Sequence, residues 1–209
     1  MDSRYLRRYA NLTALIYLLS ERKITLLDPA SWDDTNDSHF LAVYRRKKRL
    51  KCVLALCFTQ TEESYHHWRV FAPGSDGVCI RFKRSDLLKA VRDRSGFRQE
   101  SVTYVKLGKA RRTSLATEEL PFVKRFAFAH ESEFRVIYES ETGREPKLLD
   151  IPISLSSIGK VTLSPWLQPP LFHNVKKMLQ SIKGCSGLTI QRSTLISNAE
   201  WKALGDASS

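Results

Sequence analysis

Apolar positions near the start of the chain follow a helical spacing and then a strand-like run. Between residues 11 and 22 they recur as one helical face, at Leu12, Leu15, Ile16 and Leu19. This spacing predicts a helix with Asn11 as its N-cap, because an Asn side chain can accept a backbone N–H of the first turn. Residues 24–27 then predict a short strand, and a second helix is expected from about His39.

The rest of the chain alternates apolar runs of strand length with segments of helical spacing. The predicted strands are 52–58, 78–82, 101–107, 134–138, 148–153 and 158–164. The predicted helices are 62–72, a helix capped by Ser85 that runs to about Arg92, 117–129 and 170–182. Many short strands mixed with helices predict an α+β fold with a split or twisted mixed β-sheet flanked by helices. The length of 209 residues fits a single domain over 1–209.

Charge adds a candidate partner to this picture. The chain has 34 Lys+Arg against 22 Asp+Glu, a formal net charge of +12. Much of the excess lies in two segments, 45–51 and 81–112. An excess of this kind favours a polyanionic partner such as RNA or DNA. The candidate nucleic-acid-binding residues are Arg45, Arg46, Lys47, Lys48, Arg49, Arg111 and Arg112, with Tyr44, Phe97 and Tyr104 available to stack on unpaired bases.

Several classes of protein and site are not supported by the sequence. It has no apolar run long enough to cross a membrane and no signal-peptide pattern, and its four cysteines form no CxxC pair. These features predict a cytoplasmic protein with reduced cysteines and no structural metal. No phosphate-binding glycine loop or nucleophile elbow is present, and the adjacent His66 and His67 would diverge on a helix.

Two acidic segments are candidates for chemistry. The loop 33–37 could hold a divalent cation, but Asx side chains that cap the following helix are the simpler interpretation. Glu131 and Glu133 stand two residues apart before an apolar strand, and both would project from one face if the strand extended back over them. One carboxylate could then steer a nucleophile while the other stabilises a developing cation. The spacing alone is also consistent with surface charge.

Read together, spaced segments over residues 5–201 resemble the bacterial family named domain of unknown function 2971. The matching segments are RRYANLTALIYLL, LLDPASWDDTND, LALCFTQTEESYHHWRVFAPGSDGVCIRF and HESEFRVIY. That family is similar in layout to ADP-ribosyltransferases, whose split sheet binds NAD⁺ in a cleft between two small sheets. The resemblance therefore implies an ADP-ribosyltransferase-like fold and NAD as the cofactor.

The resemblance also implies roles for individual residues. Glu133 would stabilise the positive charge that develops on the ribose, and Glu131 would orient or deprotonate the acceptor. Arg8, with Arg7 as the alternative, would hold NAD⁺ through its pyrophosphate or ribose. The other implied cofactor-binding residues are Thr59, Tyr65 and Trp68, although core packing is a competing interpretation of the two aromatic residues. The acidic loop departs from the family's commoner Asn-Asp-Pro form, and no Ser-Thr-Ser triplet is present.

The leading hypothesis is an NAD-dependent ADP-ribosyltransferase that modifies a nucleic acid, as a toxin or phage-defence effector with a regulatory or antitoxin protein. A nucleic-acid-binding module without catalysis is one alternative. A metal-dependent nuclease, with Asp33, Asp34 and Asp37 joined by the two glutamates, is another. The first hypothesis requires Arg8, Thr59 and Glu133 to meet in one cleft, since groups that act on one substrate must lie within its reach.

Overall fold

The computed structural model describes residues 4–92, 94–112, 114–142 and 146–207. Its strands are β1 Tyr5–Asn11, β2 Lys23–Leu27, β3 Cys52–Thr59, β4 Gly77–Lys83, β5 Phe97–Ser101, β6 Thr103–Val105, β7 Val123–Arg125, β8 Glu133–Ser140, β9 Leu148–Pro152, β10 Ile158–Leu163 and β11 Ile190–Arg192. Its α-helices are α1 Leu12–Glu21, α2 Thr35–Lys47, α3 Tyr65–Phe71, α4 Arg84–Leu88, α5 Leu107–Ala110, α6 Pro169–Ser181 and α7 Ala199–Asp206. Short 3₁₀ helices cover Pro29–Ser31, Thr117–Phe122, Phe126–Glu131 and Leu155–Ser157.

Most of the described strands form one mixed sheet that divides at β3. On one side β3 pairs with β8 along its whole length, and β8 pairs with β5. On the other side β3 shares its edge between β1 and β2, and the order continues from β1 through β4 and β10 to β11. The ladder between β1 and β3 consists of one pair, Arg7 opposite Thr59. The two strands diverge beyond that pair, and this divergence leaves a gap in the sheet.

The continuous apolar run of β3 is explained by burial on both of its faces. Leu54 and Leu56 point into a core cluster with Leu15 and Leu19 of α1. The alternate residues Val53 and Ala55 point into a second cluster with residues of α2. A strand covered on both faces has no polar face to show, and therefore it reads as an uninterrupted apolar run.

The structure confirms the α+β class, with a mixed sheet flanked by helices. It also confirms the first helix and its N-cap, since Asn11 accepts the backbone N–H of Ala14. The four cysteines are free thiols, as expected. No helix in the described ranges has both the length and the apolar character needed to cross a lipid bilayer.

Four local predictions were wrong. Segment 117–129 is not an α-helix but two 3₁₀ segments joined by β7, with Pro121 inside the first of them. α2 begins at Thr35 rather than near His39, and α4 ends at Leu88 without a Ser85 cap. The predicted strand 101–107 is divided, since β5 ends at Ser101 and β6 covers only Thr103–Val105.

Candidate active site

A cavity of about 480 Å³ occupies the gap where β1 and β3 diverge. Both strands contribute to its wall, as do the acidic loop before α2, the end of α3 and the segment that leads into β8. The lining residues that carry charge or a hydroxyl are Arg7, Arg8, Tyr9, Ser31, Asp33, Asp34, Asp37, Thr59, Lys124, Glu131 and Glu133. The structure therefore brings Arg8, Thr59, Glu131 and Glu133 together in one cavity, although they come from three separate segments of the chain.

Glu133 opens β8 and is held by two cations. Its Oε1 accepts a hydrogen bond from Arg135 Nε at 2.7 Å, and its Oε2 lies 3.6 Å from Lys124 Nζ. Arg135 follows two residues later on the same strand, so both side chains project from the same face. The backbone N–H of Glu133 donates to the Tyr104 hydroxyl at 2.8 Å. These contacts fix the position of a carboxylate that is almost fully buried.

Glu131 reaches the same cation from outside the strand. Its Oε2 accepts from Lys124 Nζ at 2.7 Å. Ser132 between the two glutamates has a left-handed backbone with φ of 43°, so β8 does not extend back over Glu131. The expectation that one strand face presents both glutamates is therefore wrong, but the turn at Ser132 brings both carboxylates to Lys124. Thr59 fixes this turn, because its hydroxyl donates to the Glu131 carbonyl at 2.6 Å.

The acidic loop caps α2 and adds a third buried carboxylate to the cluster. Asp34 accepts the backbone N–H groups of Asn36 and Asp37, so the capping interpretation of the loop is confirmed for this residue. Asp37 binds the Arg135 guanidinium through both oxygens, at 3.0 and 2.7 Å. In the described ranges, no group of His, Cys, Asp or Glu side chains has an arrangement that would hold a metal ion. The ammonium of Lys124 stands among the carboxylates instead, 3.9 Å from Asp34 and 3.6 Å from Asp37.

The environments of the two glutamates move their pKa values in opposite directions. Burial raises the pKa of Glu131, and this effect exceeds the opposing effect of Lys124. Burial would also raise the pKa of Glu133, but Arg135 and Lys124 together bring it below its usual range. Burial raises the pKa of Asp37 as well, against the effect of Arg135. Two neighbouring carboxyl groups with separated pKa values are suited to different tasks in one reaction.

Arg7 and Arg8 provide positive charge at the other wall. Arg7 is committed to the protein, because it pairs with Glu62 and donates to the Thr61 carbonyl at 2.8 Å. Arg8 donates to the Cys57 carbonyl at 3.2 Å, and within the described residues it forms no ion pair with a carboxylate. Burial lowers the pKa of Arg8, which means that the surroundings do not compensate its charge. Of the two arginines, Arg8 is the one available to an anionic ligand.

Tyr65 and Trp68 do not line the cavity. Trp68 is fully buried, packs against Ala72 and Cys79, and donates its indole N–H to Glu63 at 2.7 Å. Tyr65 is half-exposed and lies against Arg69 and Trp166. The aromatic side chains that line the cavity are Tyr9, Trp32, Phe71 and Phe128, together with Phe58.

The predicted nucleic-acid-binding residues lie outside the cavity. Arg46, Lys47, Lys48 and Arg49 are exposed at the C-terminal end of α2, whose N-terminal end carries Asp37. Arg45 is partly buried and donates to the carbonyls of Leu50 and Lys51. Arg111 and Arg112 are exposed after α5. Their role in binding nucleic acid stays a prediction.

Sequence reasoning did not identify Lys124, Arg135 or Trp32 as individual contributors to the site, and it named Asp37 only as a metal ligand in the nuclease alternative. A signal existed for Arg135, since a charged residue inside the apolar run of β8 requires a buried partner, and Glu133 stands two positions before it. No comparable signal existed for Lys124. The residues around Lys124 have helical spacing in the sequence. Its carboxylate partners Asp34, Asp37 and Glu133 belong to other segments of the chain.

No family model matches this chain, and neither does any curated protein. Three solved structures of DarT from Thermus sp. 2.9 resemble it distantly. The complex with carba-NAD⁺ is 9% identical with a TM-score of 0.47, and the match covers 92% of this chain and 97% of that chain. The complex with ADP-ribosylated ssDNA is 10% identical with a TM-score of 0.47, over 92% and 95% of the two chains. The NAD⁺ complex is 10% identical with a TM-score of 0.45, over 92% and 96%. At this level the resemblances do not bear on what this chain does.

Proposed function

We propose that this protein transfers ADP-ribose from NAD⁺ to a nucleic acid. The observation that supports the proposal best is the meeting of Arg8, Thr59, Glu131 and Glu133 in one cavity at the division of the sheet. A volume of about 480 Å³ lies in the range of cavities that hold small organic ligands. The cavity has an uncompensated guanidinium at one wall and paired carboxylates at the other, as a dinucleotide with an anionic and a cationic end requires.

Glu133 is suited to stabilise the transition state of bond cleavage. When the bond between ribose C1′ and the nicotinamide nitrogen breaks, nicotinamide leaves with the electron pair and positive charge develops on the sugar. A carboxylate beside C1′ favours this charge distribution over the ground state. The lowered pKa of Glu133 keeps its carboxylate ionised at neutral pH. Arg135, which is itself bound by Asp37, holds the Glu133 carboxylate in place.

Glu131 is suited to act as the general base. The acceptor forms a new bond to C1′ through a nitrogen or oxygen and must lose a proton, which Glu131 can accept. A base is most effective when its pKa approaches the working pH, and burial raises the pKa of Glu131 toward neutral pH. Arg8 would bind the pyrophosphate through charge-assisted hydrogen bonds, and Thr59 would position Glu131 through its carbonyl. The cavity's aromatic residues, rather than Tyr65 or Trp68, are placed to contact nicotinamide.

We infer the acceptor and the biological setting from the charge of the chain, its free thiols and the matching sequence segments. The net charge of +12 favours a nucleic acid over a protein as acceptor. Four free thiols fit the reducing cytoplasm. We place the protein in the domain of unknown function 2971 family on the matching segments alone. A role as a toxin or phage-defence effector, held in check by a regulatory or antitoxin protein, would suit such an activity.

Incubation of the protein with NAD⁺ labelled on its adenylate and with total cellular nucleic acid tests the proposal. We expect label on the nucleic acid and release of free nicotinamide, in the presence or absence of EDTA. Glu133→Gln should abolish both, while Glu200→Gln, which changes an exposed glutamate of α7, should leave both unchanged. Circular dichroism of the two variants separates loss of catalysis from loss of folding.

The other outcomes identify the alternatives. Cleavage of the nucleic acid that needs no NAD⁺ and stops with EDTA would establish the metal-dependent nuclease. Binding of nucleic acid without release of nicotinamide would establish a binding module without catalysis. Either result contradicts the proposed transferase.

A further inference from the structure

Three cations form a row across the half of the sheet that borders the cavity. Arg7 of β1 stands opposite Arg81 of β4, and Arg81 stands opposite Lys160 of β10. Residues paired across neighbouring strands project from the same face, and neighbouring strands lie about 4.8 Å apart. The three side chains therefore share one face over about 10 Å. Arg7 lines the cavity, so the row leads outward from the cavity wall.

The outer members of this row have no carboxylate partner within the described residues. No ion pair involves Arg81 or Lys160, although both are partly buried in the sheet surface. The Nε of Arg81 is buried and has no hydrogen-bond acceptor. An arginine held this way has lost part of its hydration without gaining a protein partner, which is costly unless a ligand supplies acceptors.

An aromatic residue and a fourth cation complete the surface. Tyr5 stands opposite Lys83, two positions along β1 from Arg7 and thus on the same face. The Arg81 guanidinium lies 4.4 Å from the centre of the Tyr5 ring. Stacking orients the guanidinium and leaves its edge N–H groups free to bind. The far end of this face is closed, because Trp68 and Ala72 of α3 cover Cys79, and only the end with Tyr5 and Lys83 is open.

We propose that Arg81 and Lys160, the outer members of this row, bind the phosphodiester backbone of the acceptor strand and lead it to the cavity. That the strand leads to the cavity rests on the proposed function, but binding of the strand does not itself require NAD⁺. A planar guanidinium matches phosphate oxygens in a bidentate manner, and cations on neighbouring strands can contact successive phosphates of one chain. The strand enters unpaired, since a base must reach the cavity wall at Glu131 to be modified.

Fluorescence anisotropy with a labelled single-stranded oligonucleotide of about 20 nucleotides, measured without NAD⁺ at several salt concentrations, tests this inference. The variant Arg81→Gln/Lys160→Gln removes two charges from the row. Its matched control is Lys177→Gln/Lys183→Gln, which removes two exposed charges in and after α6. α6 packs on the opposite face of the same half-sheet, since Leu179 belongs to the core cluster of Ile80 and Val161.

We expect the row variant to bind about tenfold more weakly or worse, and the slope of log K against log salt to fall by about 0.7 for each lost phosphate contact. The control should match the unmodified protein. Release of nicotinamide from NAD⁺ without an acceptor should be equal in the control and in the unmodified protein. Unchanged affinity of the row variant, or equal affinity of the unmodified protein for poly-glutamate, would overturn the inference.

Failure of the proposed function gives a different result. If the unmodified protein releases no nicotinamide but still binds the oligonucleotide through Arg81 and Lys160, the transferase is wrong and the surface assignment stands. If it transfers label to the oligonucleotide and the row variant does so with the same KM, the surface assignment is wrong and the transferase stands.

Discussion

Lys124 is the residue on which the candidate site depends most. Its ammonium lies 2.7 Å from Glu131, 3.6 Å from Glu133 and Asp37, and 3.9 Å from Asp34. Without this cation, four carboxylates from three segments would repel one another in a poorly solvated space. The Lys124 pKa is raised because the surrounding carboxylates outweigh the effect of burial, so the ammonium stays charged. Lys124 is thus a positioning residue for both glutamates.

Replacement of Lys124 by Met should shift the pH dependence of nicotinamide release. Loss of a neighbouring cation raises the pKa of Glu131 and Glu133, so the ionised forms are reached only at higher pH. The acid limb of the pH–rate profile should therefore move upward by about 1–2 pH units. Lys124→Arg should keep the limb near its original position, and Lys89→Met on the exposed side of α4 should not move it. A Lys124→Met profile of unchanged shape but lower height would contradict this role.

His67 gives the fold a pH dependence of its own. Burial, with smaller effects from His66 and His130, lowers the pKa of His67 to about 4. The ring lies between Tyr9 and Phe71, its Nδ1 is 2.5 Å from the Ser64 hydroxyl, and its Nε2 is buried without a partner. Between pH 6.5 and 4 the unfolded chain binds a proton here that the folded chain does not. Stability contributed by this residue therefore falls as the pH drops through that range.

His67→Phe should remove this contribution. In the unmodified protein, the lowered pKa of His67 makes the free energy of unfolding fall by about 2 kcal/mol when the pH drops from 7 to 5. The phenyl ring keeps the stacking but cannot be protonated, so the variant should lose less stability than the unmodified protein between pH 7 and pH 5. Urea denaturation at both pH values measures it, with His39→Phe as the exposed control. An equal loss of stability in both proteins would show that His67 is not buried in its neutral form.

At the scale of elements, Arg135 ties β8 to α2. Its guanidinium binds Asp37 of α2 and Glu133 of β8, and it donates to the Pro121 carbonyl at 2.7 Å. The side chain is fully buried, and its ring neighbour is Trp32, 5.0 Å away. The cavity wall thus depends on Arg135 of β8 and on its partners Asp37 and Pro121, which belong to two other segments.

Arg135→Met should destabilise the protein by about 3–5 kcal/mol, because it leaves two buried carboxylates without their partner. Lys48→Met, which breaks the exposed and solvent-screened pair with Glu118, should cost much less. Urea denaturation of both variants at pH 7 gives the comparison. Equal losses of unfolding free energy in the two variants would mean that Asp37 and Glu133 do not depend on Arg135 as their partner.

Predictability from sequence differs between elements for physical reasons. α1 and β3 were predicted well because their own residues carry the pattern, a helical stripe in one and a doubly buried run in the other. Segment 117–129 was not, since Pro121 and contacts with distant residues override its helical spacing. β1 was missed because Arg7 and Arg8 interrupt its apolar residues, so that no apolar–polar alternation is visible in the sequence.

The residues of the site that could be predicted are those that stand at recognisable positions in sequence motifs. Glu131, Glu133, Thr59 and Arg8 were named from motif positions, and all four line the cavity. Lys124 and Asp37 acquire their positions only when three segments fold together, and no local pattern encodes that. Trp68 was given a ligand-contacting role that its complete burial does not support, because its aromatic ring fills the core beneath α3.

At the scale of the whole molecule, α2 separates the acidic residues of the cavity wall from the basic segment 45–51. α2 shows this within one element, since Asp37 lies at its N-terminal end in the cavity wall and Arg45, Arg46 and Lys47 lie in its last turn. Thirteen helical residues separate the two ends by about 20 Å. The helix dipole favours both placements. The exposed cations of 45–51 are therefore remote from the cavity, whereas the row from Arg7 to Lys160 begins at its wall.

A net charge of +12 should make the stability of the folded state sensitive to salt. Most of the excess cations are exposed, and their mutual repulsion is greater in the compact state than in the expanded chain. From about 0.01 M to about 1 M NaCl the Debye length falls from about 30 Å to about 3 Å, so this repulsion is screened. The buried pairs of Arg135 and Lys124 are screened much less. The melting temperature should therefore rise over this range.

Lys177→Glu/Lys183→Glu checks this prediction, because it lowers the net charge from +12 to +8 without touching the cavity, the cation row or segment 45–51. The variant should melt higher than the unmodified protein at low salt and gain less from added NaCl. Scanning calorimetry at the two salt concentrations gives both quantities. A melting temperature that falls as NaCl is added would show that attractive pairs outweigh the repulsion.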